Sequence, residues 1–157
     1  MPETLKTSPC VHCKKRAAAA SEITTKVKAV QAKHAQYEGK VVAEIFSTAS
    51  HLLQLHGLGL DVWNEQLKVL GLNRSLASDY LHLARTDLAK YDLREADLIR
   101  LPSDLVKLKL IGQLLPKDLE ALFKRLDPRL ASHRDVDAAV RAIRFSQVPE
   151  DERNRVQ

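Results

Sequence analysis

The sequence is poor in glycine, with 5 residues, and in proline, with 6, while leucine alone occurs 25 times in 157 residues. Sandwiches and barrels need turn residues at frequent intervals, so the composition predicts an all-α fold. No apolar run approaches the roughly 18 residues that span a bilayer, and the opening MPETLKTSPC lacks the charged-then-apolar pattern of a secretory leader. These absences point to a cytoplasmic protein with no membrane partner. The 2 cysteines, Cys10 and Cys13, are too few and too close together for a disulfide framework, which agrees with a reducing compartment. GxxxxGK, GxSxG and HExxH are all missing, and the acids from Asp92 onward alternate with lysine and arginine as on solvated helix faces. His51 and His133 read as ordinary polar or core positions, so the expectation is a protein that is not an enzyme. Nor does any segment repeat at a period of 20 to 50 residues, which argues against a solenoid.

What is present suits one globular domain with a tail: 45% hydrophobic and 29% charged residues bury a core and exclude disorder throughout. The net charge of +5 is unevenly spread. Residues 1–42 carry 8 Lys and Arg against 3 Asp and Glu, residues 43–87 carry 3 against 5, residues 88–147 carry 12 against 9, and residues 148–157 carry 2 against 3. A polyanionic partner first meets the basic N-terminal part.

Along the chain, residues 1–16 combine Pro2 and Pro9 with Lys14, Lys15 and Arg16 and too little apolar surface to order, which predicts a flexible basic arm. The run from Ala17 starts an N-terminal helix over 17–42. There Ile23, Val27, Val30, His34, Tyr37 and Val41 recur at heptad spacing, either to pack on the chain's own domain or to form a dimer seam interrupted at Gly39. A second helix is expected from Val41 to His56, stopped by Gly57 and Gly59. Residues 43–147 then read as a compact multi-helix array. Its pieces are Asp61 to Leu70, Arg74 to about Ala89, three helices after Asp92, Pro102 and Pro116, and a last one near Ser132 bearing Val136, Ala139, Val140 and Ile143. Asp92 with Glu95 and Ser132 with Asp135 have N-cap spacing. Residues 148–157 form a polar tail.

The informative stretch is LKVLGLNRSLASDYLHLAR, Leu67 to Arg85. Two helices separated by Gly71, Leu72 and Asn73 have helix-turn-helix spacing. Gly71 suits a position of positive φ, Asn73 caps the second helix, and Ala77 permits close approach. Leu70, Leu72, Leu76, Tyr80 and Leu81 are expected on the buried side. The polar face offers Arg74, Ser75, Ser78 and His82 for reading base edges in the major groove. Asn73 and Arg85 are candidates for the DNA backbone, joined by Lys14, Lys15, Arg16, Lys26 and Lys28 of the basic arm and first helix. Asp79 repels phosphate unless it accepts from a cytosine amino group or points away.

From His51 to Arg85 the residues His56, Gly57, Trp63, Arg74, Ala77, Tyr80, Leu83 and Ala84 follow a pattern that resembles small helix-turn-helix proteins of phages and plasmids. Leu70, Gly71, Arg74 and Ser75 are similar to the turn of the ParB-type partition proteins. Leu101 to Arg144 resembles the helical continuation seen in such proteins. The resemblance implies a sequence-specific regulator of transcription, or an accessory DNA-binding factor, of a mobile element. A homodimer on double-stranded DNA is the expected working form.

Two further readings stay open. Cys10-Val11-His12-Cys13 is one knuckle of a zinc site, completed only by a distant histidine or by a second subunit; the other reading is a pair of thiols in the arm, with no cofactor. The leucine-rich helices also suit a non-enzymatic interaction module, a phage-type adaptor or inhibitor that binds a host or element-encoded protein.

Overall fold

The computed structural model describes residues 11–153. These are helical with no strand among them, in agreement with the all-α expectation. Helix α1 runs over Val11–His56, α2 over Leu60–Leu70, α3 over Arg74–Ala84, α4 over Glu95–Leu98, α5 over Leu105–Ile111, α6 over Leu119–Arg125, α7 over His133–Ser146 and α8 over Glu150–Arg153. Short 3-10 turns at Leu88–Lys90 and Pro116–Asp118 precede α4 and α6. The chain divides into two compact units between Ala35 and Gln36.

In the first unit, α1 needs no core. Alanine and lysine are its commonest residues, strong helix formers that hold the conformation through the backbone. The hydroxyls of Thr24 and Thr25 donate back to the carbonyls of Ala20 and Ser21 at 2.9 and 3.0 Å, and Lys26 pairs with Glu22 at 3.5 Å. Residues 11–16, inside the segment expected to be a flexible arm, are therefore helical, because helix propagation asks for propensity and not for burial. The apolar positions Ile23, Val27 and Val30 are exposed by 61, 49 and 66%.

The second unit holds the leucines. Its main core gathers Val42 and Ala49 of α1, Leu83 of α3, Leu108 and Ile111 of α5, Leu119, Leu122 and Phe123 of α6, and Val136, Ala139, Val140 and Ile143 of α7. Helix α5 packs chiefly against α7 and α3. A smaller core of Leu52, Trp63, Leu67, Ala77 and Leu81 joins the end of α1 to α2 and α3, with the His56 ring edge-on to Trp63 at 5.2 Å. Asp104 caps α5 by accepting from the N–H groups of Val106 and Lys107, and its second oxygen meets His133 Nε2 at 2.8 Å, tying the start of α5 to that of α7. Ser132 caps α7, accepting from the Asp135 N–H at 3.1 Å, at the expected place.

Several expected boundaries move. Gly39 does not break α1: it is buried, and a Cβ there would stand 2.9 Å from Ile99 Cγ2, so glycine serves a close approach and the two expected helices are one. Helix α3 stops at Ala84 and not near Ala89, because Thr86 turns its hydroxyl to the Leu83 carbonyl at 2.6 Å and the chain passes into a 3-10 turn. The one-turn helix α4 is preceded by Arg94, not Asp92. The polar tail carries the short helix α8.

Candidate nucleic-acid interface

The turn between α2 and α3 is built from three residues, each with a local task. Gly71 takes φ 66°, ψ 24°, the left-handed region where a Cβ would be strained. Its N–H donates to the Lys68 carbonyl at 3.2 Å and that of Leu72 to the Leu67 carbonyl at 3.1 Å, a Schellman closure that satisfies the last carbonyls of α2. Asn73 then starts α3, its Oδ1 accepting from the Leu76 N–H at 2.7 Å. Both tasks were legible in the sequence. Ala77, 1% exposed, lets the two helices approach, and Leu81 fills the space beside Trp63 and Leu67.

The expected buried face is only partly right. Leu72 and Tyr80 are half-buried and Leu81 buried, but Leu70 and Leu76 are exposed by 54 and 37%. The small core lies under Trp63, Leu67, Ala77 and Leu81, and these two leucines fall on its far side. With Leu58, Leu60 and Val69 they leave exposed apolar side chains on and around α2.

Arg74, Ser78, His82 and Arg85 follow one another at four, four and three residues and so form a stripe along α3, with Ser75 beside its first turn; all five are exposed. Among the described residues no carboxylate lies within 4 Å of the Arg74 or Arg85 guanidinium. Asp79, the acid that threatened this face, is half-buried and turned to α5, where Lys109 Nζ donates to its Oδ1 at 2.7 Å. The pair neutralises the charge, and Asp79 points away from the stripe.

Two clefts flank the stripe. One, of about 440 Å³, lies between α2 and α3 and is lined by Leu60, Trp63, Asn64 and Arg74. The other, of about 490 Å³, takes His82 and Arg85 from α3, Gln113 from the end of α5 and Arg144 from α7. Ser78 and Leu81 line both. Arg144 Nη1 donates to Gln113 Oε1 at 2.5 Å. Sequence reasoning did not select Gln113 or Arg144: they stand 31 positions apart, and neither carries a motif.

The remaining candidates belong to the first unit. Lys14, Lys15, Arg16, Lys26 and Lys28 are exposed on α1, and of these Lys26 pairs with Glu22. Cys13 is exposed on the same helix, whereas Cys10 lies outside the described residues. Among the described residues no group of three or more His, Cys, Asp or Glu side chains gathers to hold a metal ion. No helix among them is long and apolar enough to cross a membrane. Comparison with protein-family models, curated proteins and solved structures finds no match to this chain.

Proposed function

We propose that α2 and α3 act as a helix-turn-helix that lays the α3 stripe in the major groove of double-stranded DNA. In this reading the chain is a sequence-specific, non-enzymatic DNA-binding protein, a transcriptional regulator or accessory factor of a mobile element, working in the cytoplasm. The observation that carries it is the exposed stripe of Arg74, Ser78, His82 and Arg85 on a helix fixed at its start by the Gly71 and Asn73 caps, with the nearby acid paired to Lys109. Arg74, Ser75, Ser78 and His82 meet base edges, arginine matching guanine and the hydroxyls tolerating several bases. Asn73, whose Oδ1 is held by the cap, keeps its amide hydrogens for a phosphate, and Arg85 contacts the backbone further along. Lys14, Lys15, Arg16, Lys26 and Lys28 add sequence-independent attraction. A homodimer supplies the second half-site, and the exposed Ile23, Val27 and Val30 are the apolar positions of α1 that a second copy would cover. Zinc bridging two copies through Cys10 and Cys13 is compatible with that dimer.

The test compares Arg74→Ala with Lys15→Ala by fluorescence anisotropy on an enriched duplex and on scrambled ones. Arg74→Ala removes about 1–3 kcal/mol of discrimination and relaxes preference at one base pair. Lys15→Ala weakens all duplexes alike and makes the salt dependence shallower. Equal losses on every sequence for Arg74→Ala sink the base-reading role.

A second reading, a helical module that binds another protein, is favoured by the exposed Leu58, Leu60, Val69 and Leu70, 70, 67, 73 and 54% accessible. It predicts that Val69→Asp abolishes partner binding and leaves DNA affinity unchanged.

A further inference from the structure

The cleft between α3 and α7 has a composition that the α3 stripe alone does not explain. Two guanidinium groups from separate helices, Arg85 and Arg144, line it together with the His82 ring, the Ser78 hydroxyl and the Gln113 amide. Four other arginines of the second unit pair with carboxylates: Arg94 with Asp97 at 3.2 Å, Arg100 with Glu120 at 3.3 Å, Arg129 with Glu38 at 3.6 Å and Arg141 with Asp137 at 3.0 Å. Arg144 instead donates to the neutral Gln113 Oε1, which leaves its charge uncompensated and turns the Gln113 amide hydrogens to other acceptors. Among the described residues, the one carboxylate on the cleft wall, Asp87, pairs with Lys90 at 3.6 Å.

We infer that this cleft seats a phosphodiester of the duplex backbone, held between Arg85 and Arg144. The inference rests on the reading of α3 as the groove-facing helix. A helix lying in a major groove about 12 Å wide has backbone phosphates along both sides, and Ser78 and Leu81 belong at once to the stripe-bearing helix and to the cleft. Paired guanidinium forks with neutral donors match the oxygens of a phosphate, and arginine makes such contacts bidentate. Arg144 thereby sets the position of α3 in the groove while carrying no sequence information.

The experiment uses the full chain and its Arg144→Gln and Arg144→Lys variants, with circular dichroism melts to establish folding. Anisotropy is read on a selected duplex and a scrambled one from about 50 to 200 mM salt. Arg144→Gln is expected to weaken both about fivefold near 150 mM, to reduce the salt slope by about one and to leave the ratio between duplexes unchanged. Arg144→Lys keeps the charge and therefore the salt slope, but loses part of the affinity on both duplexes because an ammonium cannot make the bidentate contact. If the wild type binds but Arg144→Gln matches it, or shifts the ratio, the inference falls and the groove-facing reading of α3 stands. If the wild type binds no duplex at the lowest salt, both fall. Micromolar inorganic phosphate shifting the Arg144 side-chain resonances at constant ionic strength would make the cleft a small-anion site and overturn the backbone assignment.

Discussion

Between Leu5 and Leu52 the chain has no leucine, and between 52 and 130 it has 24. The two units follow that division. Residues 11–35 form a helix of alanines and cations whose apolar side chains are exposed, while the second unit hides Leu83, Leu88, Leu101, Leu108, Leu114, Leu119 and Leu122 almost completely. Helix thus arises in two ways in one chain, by propensity alone and by burial of a stripe. The difference bears on function. A helix fixed by two cores, as α3 is through Leu81 and Leu83, holds its outer face at a defined angle, whereas a helix held only by its own backbone offers charge without position.

That contrast is tested most severely by cavity formation. Leu122→Ala in the second unit is expected to lose about 2–5 kcal/mol in urea unfolding, and Ile23→Ala in the first to lose none that the melt resolves once the chain is diluted to a monomer. A loss for Ile23→Ala that appears only at higher protein concentration would show the seam covered by the second copy, and an equal loss at every concentration would contradict the contrast.

Gly112→Ala is next. Alanine favours helix, but a Cβ at this position would stand 2.6 Å from Thr86 Oγ1 and 2.7 Å from its Cβ, and Thr86 is buried. The expected loss is about 1–3 kcal/mol, only partly recovered by Thr86→Ala because the Cβ of residue 86 remains. In the first unit the reverse change, Ala18→Gly, loses about 0.5–1 kcal/mol of helix propensity and involves no neighbour.

The smallest of these effects concerns Asp104. Burial pushes its carboxyl up, but the Lys107 N–H, the hydrogen bond and charge of His133 and the Val106 N–H outweigh burial and hold it below the ordinary 3.8. Because the folded value is the lower one, the carboxylate's contribution is complete at neutral pH. It fades as pH falls from the ordinary aspartate value through the folded one. Asp104→Ala is expected to lose about 0.5–2 kcal/mol at pH 7 and to flatten the stability profile in that acidic window, measured by urea melts between pH 2 and 7.

The parts of the molecule written in short sequence were readable without coordinates. Gly71, Asn73 and Ser132 act within three or four residues of themselves, and the stripe of α3 follows from its period. The errors came from partners distant in sequence. Gly39 reads as an interruption of the heptad seam, but it is where Ile99 packs against α1, and Asp79 reads as a defect in the candidate site, but Lys109 of α5 pairs with it. Leu70 and Leu76 fit a buried face by spacing, but the small core passes on the other side of their helices. The α7 wall of the cleft was invisible for the same reason, since Gln113 and Arg144 acquire meaning only when α5 and α7 close around α3.

The most direct test of the central claim is selection of the purified chain against a random duplex library, followed by anisotropy on the recovered sequences across a salt series. The α3 reading predicts enrichment of a defined site, with two half-sites about one helical turn apart for the dimer, and a preference over scrambled duplex that survives at 150 mM salt. Recovery of no sequence, with equal binding to every duplex or with none at low salt, would contradict it.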